Sequence, residues 1–266
     1  MNQQGYKTQK LAAGEVDSCD LGGVILHVYK THDPMNDVCL ILEKRKKAVV
    51  IEAPCFHSNL TEFDRYLGES QLDIEGMILA YHMTGGGILK GVKRYSTKNA
   101  EDYGWRGRGK SAVKSFTKTF GAAFDPALSR VTDYIEGNSA VIAGITMNFE
   151  GNSDAFDIEI PEIKAKYIHM LGHDVHSIIE STVQADLEIA KLQECVKKGY
   201  DLIFTSHYPP ETPRDVQEKI RYLEQIKNAF RAAKSAREFK QLVKKEFPAY
   251  AGENYLDITA QNLYRG

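Results

Sequence analysis

One stretch limits the folds open to this chain more than any other. Met77-Ile78-Leu79-Ala80 is a short apolar run that ends in Tyr81-His82-Met83-Thr84; three glycines follow, Gly85, Gly86 and Gly87, and apolar character resumes at Ile88. The pattern predicts a buried strand, a tight turn and a helix start. In α/β sheets ligands gather at the carboxyl ends of strands, where side chains and free backbone N–H groups converge. His82 is therefore the first candidate functional residue, and the glycines are a candidate seat for an anion or small polar ligand. The competing reading is a turn of small residues beside a histidine that only satisfies its own hydrogen bonds.

The same pattern recurs twice. Residues 166–171 predict a strand that runs into Gly172-His173-Asp174-Val175-His176, and residues 202–205 predict one closed by Ser206-His207-Tyr208-Pro209-Pro210. Upstream, residues 24–29, 38–42 and 48–51 read as a meander of three strands after a polar arm over residues 1–20, and their short connections favour antiparallel hairpins. His27 and His32 in this region read as structural or exposed. A helix is expected over 58–66 with Ser58 as its cap, a strand over 92–97 and a helical turn over 99–103. Short strands follow over 131–135, 140–149 and 156–160, then helices over 182–198, 214–234 and 236–246. Strand, helix, strand after a meander indicates a layered α/β fold.

Composition narrows the function classes. At 266 residues, with 42% hydrophobic and 26% charged residues, the chain is long enough for a substantial core, read here as one domain over 1–266. The net charge of −2 gives no pull toward nucleic acid or an acidic membrane. Cys19, Cys39, Cys55 and Cys195 show no CxxC spacing, which argues against a disulfide framework and for a reducing cytoplasm. No apolar signal core or membrane-length run is present, so export and membrane partners are not expected.

Residues 90–118 hold nine Lys or Arg against two acids, Glu101 and Asp102, with Tyr95, Tyr103 and Trp105 interleaved. A solvated helix face with an aromatic anchor is the favoured reading over a single-stranded nucleic-acid surface. Within the segment, Gly104-Trp105-Arg106-Gly107-Arg108-Gly109-Lys110-Ser111 matches GxxxxGK[ST] letter for letter. A P-loop works only between a buried strand and a helix, and residues 97–103 are too polar for that strand. Nucleotide binding through Gly104 to Ser111 is kept as a remote alternative.

The order of elements and the strand-end histidines resemble the metallo-β-lactamase superfamily. Ala48-Val49-Val50-Ile51-Glu52-Ala53 is similar to the family's third strand, with Glu52 where Asp is usual. His82-Met83-Thr84-Gly85-Gly86-Gly87 overlays the HxHxDH motif. Gly172-His173 resembles the family's later Gly-His, and His207 its last histidine. The resemblance covers roughly residues 20–215 and implies a four-layer αββα sandwich, with residues 211–266 as a C-terminal helical extension. Thr84, Gly86 and Gly87 stand where the motif has ligands, and Asp186 is a poor counterpart of the bridging aspartate, so the usual two-metal site is not expected.

What the resemblance implies is a hydrolase with one rebuilt metal site. His82, His173 and His207 would hold one zinc, manganese or iron ion, with His176 or Asp174 as substitute ligands or orienting groups and His57 or Cys55 approaching from the third strand. The reaction would be hydrolysis of an ester, lactone, thioester or amide, with Tyr81 or Tyr208 steadying the oxyanion. The alternative is a metal-free, non-catalytic protein that binds a small molecule or anion above Gly85, Gly86 and Gly87. A small-molecule partner is expected in either case, and the tyrosines and C-terminal helices are compatible with a homodimer.

Overall fold

Residues 38–43 and 48–51 are unbroken buried runs, the mark of strands covered on both faces. The computed structural model, which describes residues 5–264, makes them adjacent central strands of an eight-stranded sheet. In order its strands are β1 (Lys7–Lys10), β2 (Glu15–Asp20), β3 (Ile25–Lys30), β4 (Val38–Lys44), β5 (Lys47–Ile51), β6 (Asp73–Ile78), β7 (Arg94–Ser96) and β8 (Asp133–Tyr134). β1 to β5 pair antiparallel, as the short connections predict, and β5 to β8 pair parallel.

The parallel half needs crossovers. The first is α1 (His57–Glu69), whose Phe63 stacks on Tyr29 of β3 at 5.0 Å. Its buried Glu62 accepts the backbone N–H groups of Ala13 and Gly14 and the Tyr29 hydroxyl, which fixes the helix on one sheet face. The helix starts after Phe56 with no side-chain cap, so Ser58 lies inside the first turn rather than at the expected cap. The β6 to β7 connection is made of turns, and the β7 to β8 crossover carries α2 (Lys98–Trp105) and α3 (Arg108–Phe120).

A second sheet has the order β13 (Leu202–Phe204), β12 (Ala165–Tyr167), β11 (Phe156–Ile160), β10 (Ile145–Gly151), β9 (Ser139–Ile142). It meets the face of the first sheet opposite α1: a Cβ on Gly76 of β6 would lie 3.4 Å from Ile142 of β9. The strand expected over 140–149 is in fact two, because Ala143 and Gly144 both take positive φ and turn the chain into a hairpin.

The chain divides into two compact units, Met1–Met170 with Ile203–Pro210, and Leu171–Leu202 with Glu211–Gly266. Both sheets' pairing just described, α1, α2 and α3 belong to the first. The second holds α4 (Thr182–Lys198), α5 (Pro213–Ala232), α6 (Ala236–Glu246) and α7 (Glu253–Leu263). Three of these helices lie within two residues of the expected spans and carry side-chain caps. Ser181 caps α4 and Gly199 ends it, Thr212 and Asp215 form a capping box on α5, and Ser235 caps α6.

Two further expectations are corrected, and the doubt about the P-loop-like letters is met. Residues 7–20 of the expected polar arm are β1 and β2. No helix starts at Ile88; residues 86–91 make turns, with Leu89 N–H held by Asp64. Finally, the P-loop-like letters join two helices: Gly104 and Trp105 end α2 and Arg108 opens α3, so no strand leads into them. The glycines there serve close packing, since a Cβ on Gly104 would stand 2.3 Å from Met83 and one on Gly109 3.0 Å from Gly104 Cα. No helix among the described residues is long and apolar enough to cross a membrane.

Candidate metal centre

Three strand ends of the first unit deliver histidines to one point. His82 follows β6, His169 stands two residues beyond β12, and His207 three beyond β13. Ile168 N–H donates to the Phe204 carbonyl (2.9 Å) and Ser206 N–H to the His169 carbonyl (3.0 Å), which keeps the ends of β12 and β13 side by side. Val38 N–H donates to the Ser206 carbonyl (2.6 Å), bringing the start of β4, and with it Asp37, to the same edge.

The three imidazoles form a near-regular triangle with ring centroids 5.1, 5.2 and 5.2 Å apart. Their Nε2 atoms point inward: His169 Nε2 lies 3.1 Å from that of His82 and 3.3 Å from that of His207. One hydrogen on His169 can serve only one of these contacts. Three nitrogens on one tetrahedral zinc, with bonds of about 2.0–2.1 Å, would stand about 3.3 Å apart. The donor set and its spacing therefore fit a single metal ion.

Carboxylates stand behind two of the rings. Asp37 Oδ1 lies 3.2 Å from His207 Nδ1, and Glu52 Oε2 lies 3.7 Å from His82 Nδ1. Negative charge facing Nδ1 favours the proton on that nitrogen and leaves the Nε2 lone pair for a metal. Burial opposes ionisation of Asp37, but the facing His207 and His82 rings and the Cys55 thiol outweigh it and hold its carboxyl below the usual carboxylate range. His169 is oriented differently, by the Tyr81 ring stacked on it at 4.6 Å and 10°.

Glu52 also builds the backbone of the site. It is 1% exposed and takes φ +65°, a left-handed conformation that a non-glycine residue adopts at a cost of about 1–3 kcal/mol. Its carboxylate accepts Tyr81 N–H at 2.7 Å, His82 N–H at 3.1 Å and the Tyr167 hydroxyl at 2.9 Å. Because the Tyr167 proton goes to Glu52, the Ser206 hydroxyl donates to Tyr167 (2.6 Å). One hydrogen-bonded chain thus ties the His82 loop to the His207 loop. Burial pushes the Glu52 carboxyl up against the lowering pull of these donors and of His82.

Solved structures with this architecture point one way. The stereoselective inverting sec-alkylsulfatase Pisa1 from a Pseudomonas species aligns with a TM-score of 0.63 at 14% identity, over 90% of this chain and 48% of its own. A metallo-β-lactamase family protein from Thermus thermophilus aligns with a TM-score of 0.58 at 11% identity, over 91% of each chain. The chain has the metallo-β-lactamase fold. A metallo-β-lactamase from Erythrobacter litoralis adds a TM-score of 0.51 at 12% identity over 82% of this chain. This chain spans about half the length of the alkylsulfatase. No family model and no curated protein matches the sequence.

On this metallo-β-lactamase fold the sequence-derived site residues fall into two groups. His82 and His207 meet, and His169 joins them in the position expected for His173. The reason is the length of β12, which ends at Tyr167, so the first histidine past the strand is His169. His173 belongs to the second unit, where Glu211 accepts its N–H and its Nδ1, both at 2.8 Å. Lys219 pins the same loop by donating to the Gly172 and Val175 carbonyls. His176 is buried in that unit with Nδ1 on the Tyr222 hydroxyl, and Asp174 is exposed there. Neither is a member of the triangle.

The remaining candidates have structural partners. The Tyr81 hydroxyl donates to Asp157 (2.6 Å) and accepts from Asn152 (2.7 Å), which leaves its ring, rather than its hydroxyl, at the site. Tyr208 N–H donates to Thr205 Oγ1 in the turn after β13. Gly85 takes φ +74°, where a Cβ would stand 2.5 Å from that of Ala53, and a Cβ on Gly86 would meet the Leu128 carbonyl oxygen at 2.8 Å. Close packing accounts for both, whereas a Cβ on Gly87 would meet nothing within 4 Å. Thr84 donates to the Ala53 carbonyl, His57 is exposed on α1, and Asp186 pairs with Lys227.

A second group of ligand-type atoms, from Asp33, Asp37 and Cys55, also lies within 4.8 Å. There the Cys55 thiol donates to Asp37 Oδ2 at 2.9 Å, and burial together with Asp37 pushes that thiol up, so it stands as a protonated donor.

Proposed function

We propose that this protein is a hydrolase that holds one metal ion on His82, His169 and His207 and cleaves an ester, lactone, thioester or amide. The observation that carries the reading is the inward convergence of three Nε2 atoms at metal-ligand spacing, with carboxylates behind two of the rings. Zinc, manganese and iron all accept imidazole ligands, and zinc suits a three-histidine set with a fourth position open to water. When bound, the ion supplies Lewis-acid activation of water and of the scissile carbonyl.

The chain's own residues do the rest. The Asp37 carboxylate, 3.2 Å from His207 Nδ1, sets negative charge there and so favours the tautomer whose Nε2 is unprotonated; Glu52, 3.7 Å from His82 Nδ1, acts on that ring through its charge and fixes the backbone that carries it. Tyr81 keeps the His169 ring upright by stacking. All three histidines line one cavity, so substrate approaches from that side. The four free, buried cysteines are consistent with a cytoplasmic location.

The test is turnover of an ester, lactone, thioester and amide panel by metal-loaded protein. Hydrolysis that a chelator removes and zinc or manganese restores supports the reading. Fully loaded protein that turns over none of the four classes overturns it.

A further inference from the structure

The cavity that the three histidines close at one end extends well past them. It has a volume of about 190 Å³, and away from the histidines its walls are largely apolar: Met35, Met83, Val113, Phe116, Phe124 and Leu128. Asp37, at the histidine end, is the one carboxylate among its lining residues, and no Lys or Arg lines it. A phosphate, carboxylate or ammonium arm would meet no countercharge beyond that end.

The wall made by α3 is unusual for a helix on a globular protein. Ala112, Val113, Phe116 and Phe120 share one face at helical spacing, with Lys110, Lys114 and Lys118 outside that face. Yet none of the helix's residues is buried; the apolar face is only half-covered. Phe116 packs on Phe124 at 5.9 Å between centroids and Phe120 on Phe56 and Phe124 at 5.2 and 6.4 Å, while Val113 and Phe116 also face the cavity. A half-covered apolar face that packs on a small buried cluster and also borders a cavity is where a ligand's apolar surface gains from leaving water.

We infer that the substrate carries an uncharged aliphatic or aryl arm of several carbons, seated between α3 and the Phe124 to Leu128 segment while its scissile group lies at the three histidines. This rests on the hydrolase reading for the scissile group, whereas the arm's seat rests on the cavity alone.

The experiment separates the two. Zinc-loaded protein, its metal content checked first by elemental analysis, is titrated calorimetrically with aceto-, hexano- and octanohydroxamate. Metal-free protein is titrated in parallel with ethanol, hexanol and octanol by displacement of a fluorescent apolar dye. Affinity that rises roughly fourfold per buried methylene until the cavity fills is expected in both series. Phe116→Lys, a half-exposed position, is expected to flatten both while leaving acetohydroxamate affinity within about twofold of the parent.

Chain-length independence of both series in the parent overturns the inference, whatever the variant does. Protein that takes up no zinc but binds alcohols with rising affinity overturns the hydrolase reading and upholds the apolar seat.

Discussion

Asp37 is not one of the three histidine ligands, yet its carboxylate faces His207 Nδ1 at 3.2 Å. Replacing Asp37 with Asn removes the charge that faces His207 Nδ1 and is expected to weaken zinc binding by about 10–100-fold, read by competition with a chelating dye. Unchanged affinity would mean that the 3.2 Å contact orients nothing. His173 makes the contrasting case. Burial lowers its pKa, but Glu211, Asp215 and Asp174 outweigh burial and raise it. A raised folded-state pKa contributes stability that is full below the unfolded value of about 6.5 and is lost as pH rises through the folded value. His173→Gln should therefore destabilise the protein more at about pH 5.5 than at about pH 8.5, measured by urea melts at the two values; an equal loss at both would contradict the pairing.

These two residues also show what was legible at this scale. A histidine soon after an apolar run marks a strand end, and that pattern selects His82 and His207, whereas His169 falls inside the strand expected over 166–171. The Gly-His pair drew attention four residues further on, because local spacing does not report where β12 stops. Asp37 read as one residue of a polar turn, since its approach to His207 comes from pairing between segments far apart in the chain.

At the scale of elements, the glycines decide more than the propensities. Gly85→Ala puts a Cβ into Ala53 at a positive φ and is expected to cost about 1–3 kcal/mol in a denaturant melt, while Gly87→Ala, with open space around it, should cost less than about 1 kcal/mol. Equal effects would overturn the packing account of the triplet. The α2 to α3 junction carries a second expectation: ATP with Mg²⁺ should give no thermal shift, and Lys110→Ala should change nothing in that assay. An ATP-dependent shift lost in Lys110→Ala would reinstate the nucleotide reading.

Strong local signals were readable here. The runs of β4 and β5, the spans of α4, α5 and α6 to within two residues, and the whole of β11 follow from the sequence. β1 was hidden because all four of its residues are exposed, which leaves no apolar alternation to read. α7 begins after Gly252 without a side-chain cap, and the turns after Gly85 owe their shape to Asp64 and Leu128 on other segments.

For the molecule as a whole, metal and stability are linked. An ion that binds only the folded chain adds about 2.7 kcal/mol at a hundredfold excess over its dissociation constant, which in a protein of this size corresponds to a midpoint rise of roughly 5–10 °C. Scanning calorimetry with and without a chelator should show that rise in the parent and none in His169→Ala. The most direct measurement is elemental analysis of the purified parent beside His169→Ala and His173→Ala, each dialysed against zinc. The three-histidine centre predicts about one metal per chain in the parent and in His173→Ala, and none in His169→Ala. Metal kept by His169→Ala and lost from His173→Ala would contradict it.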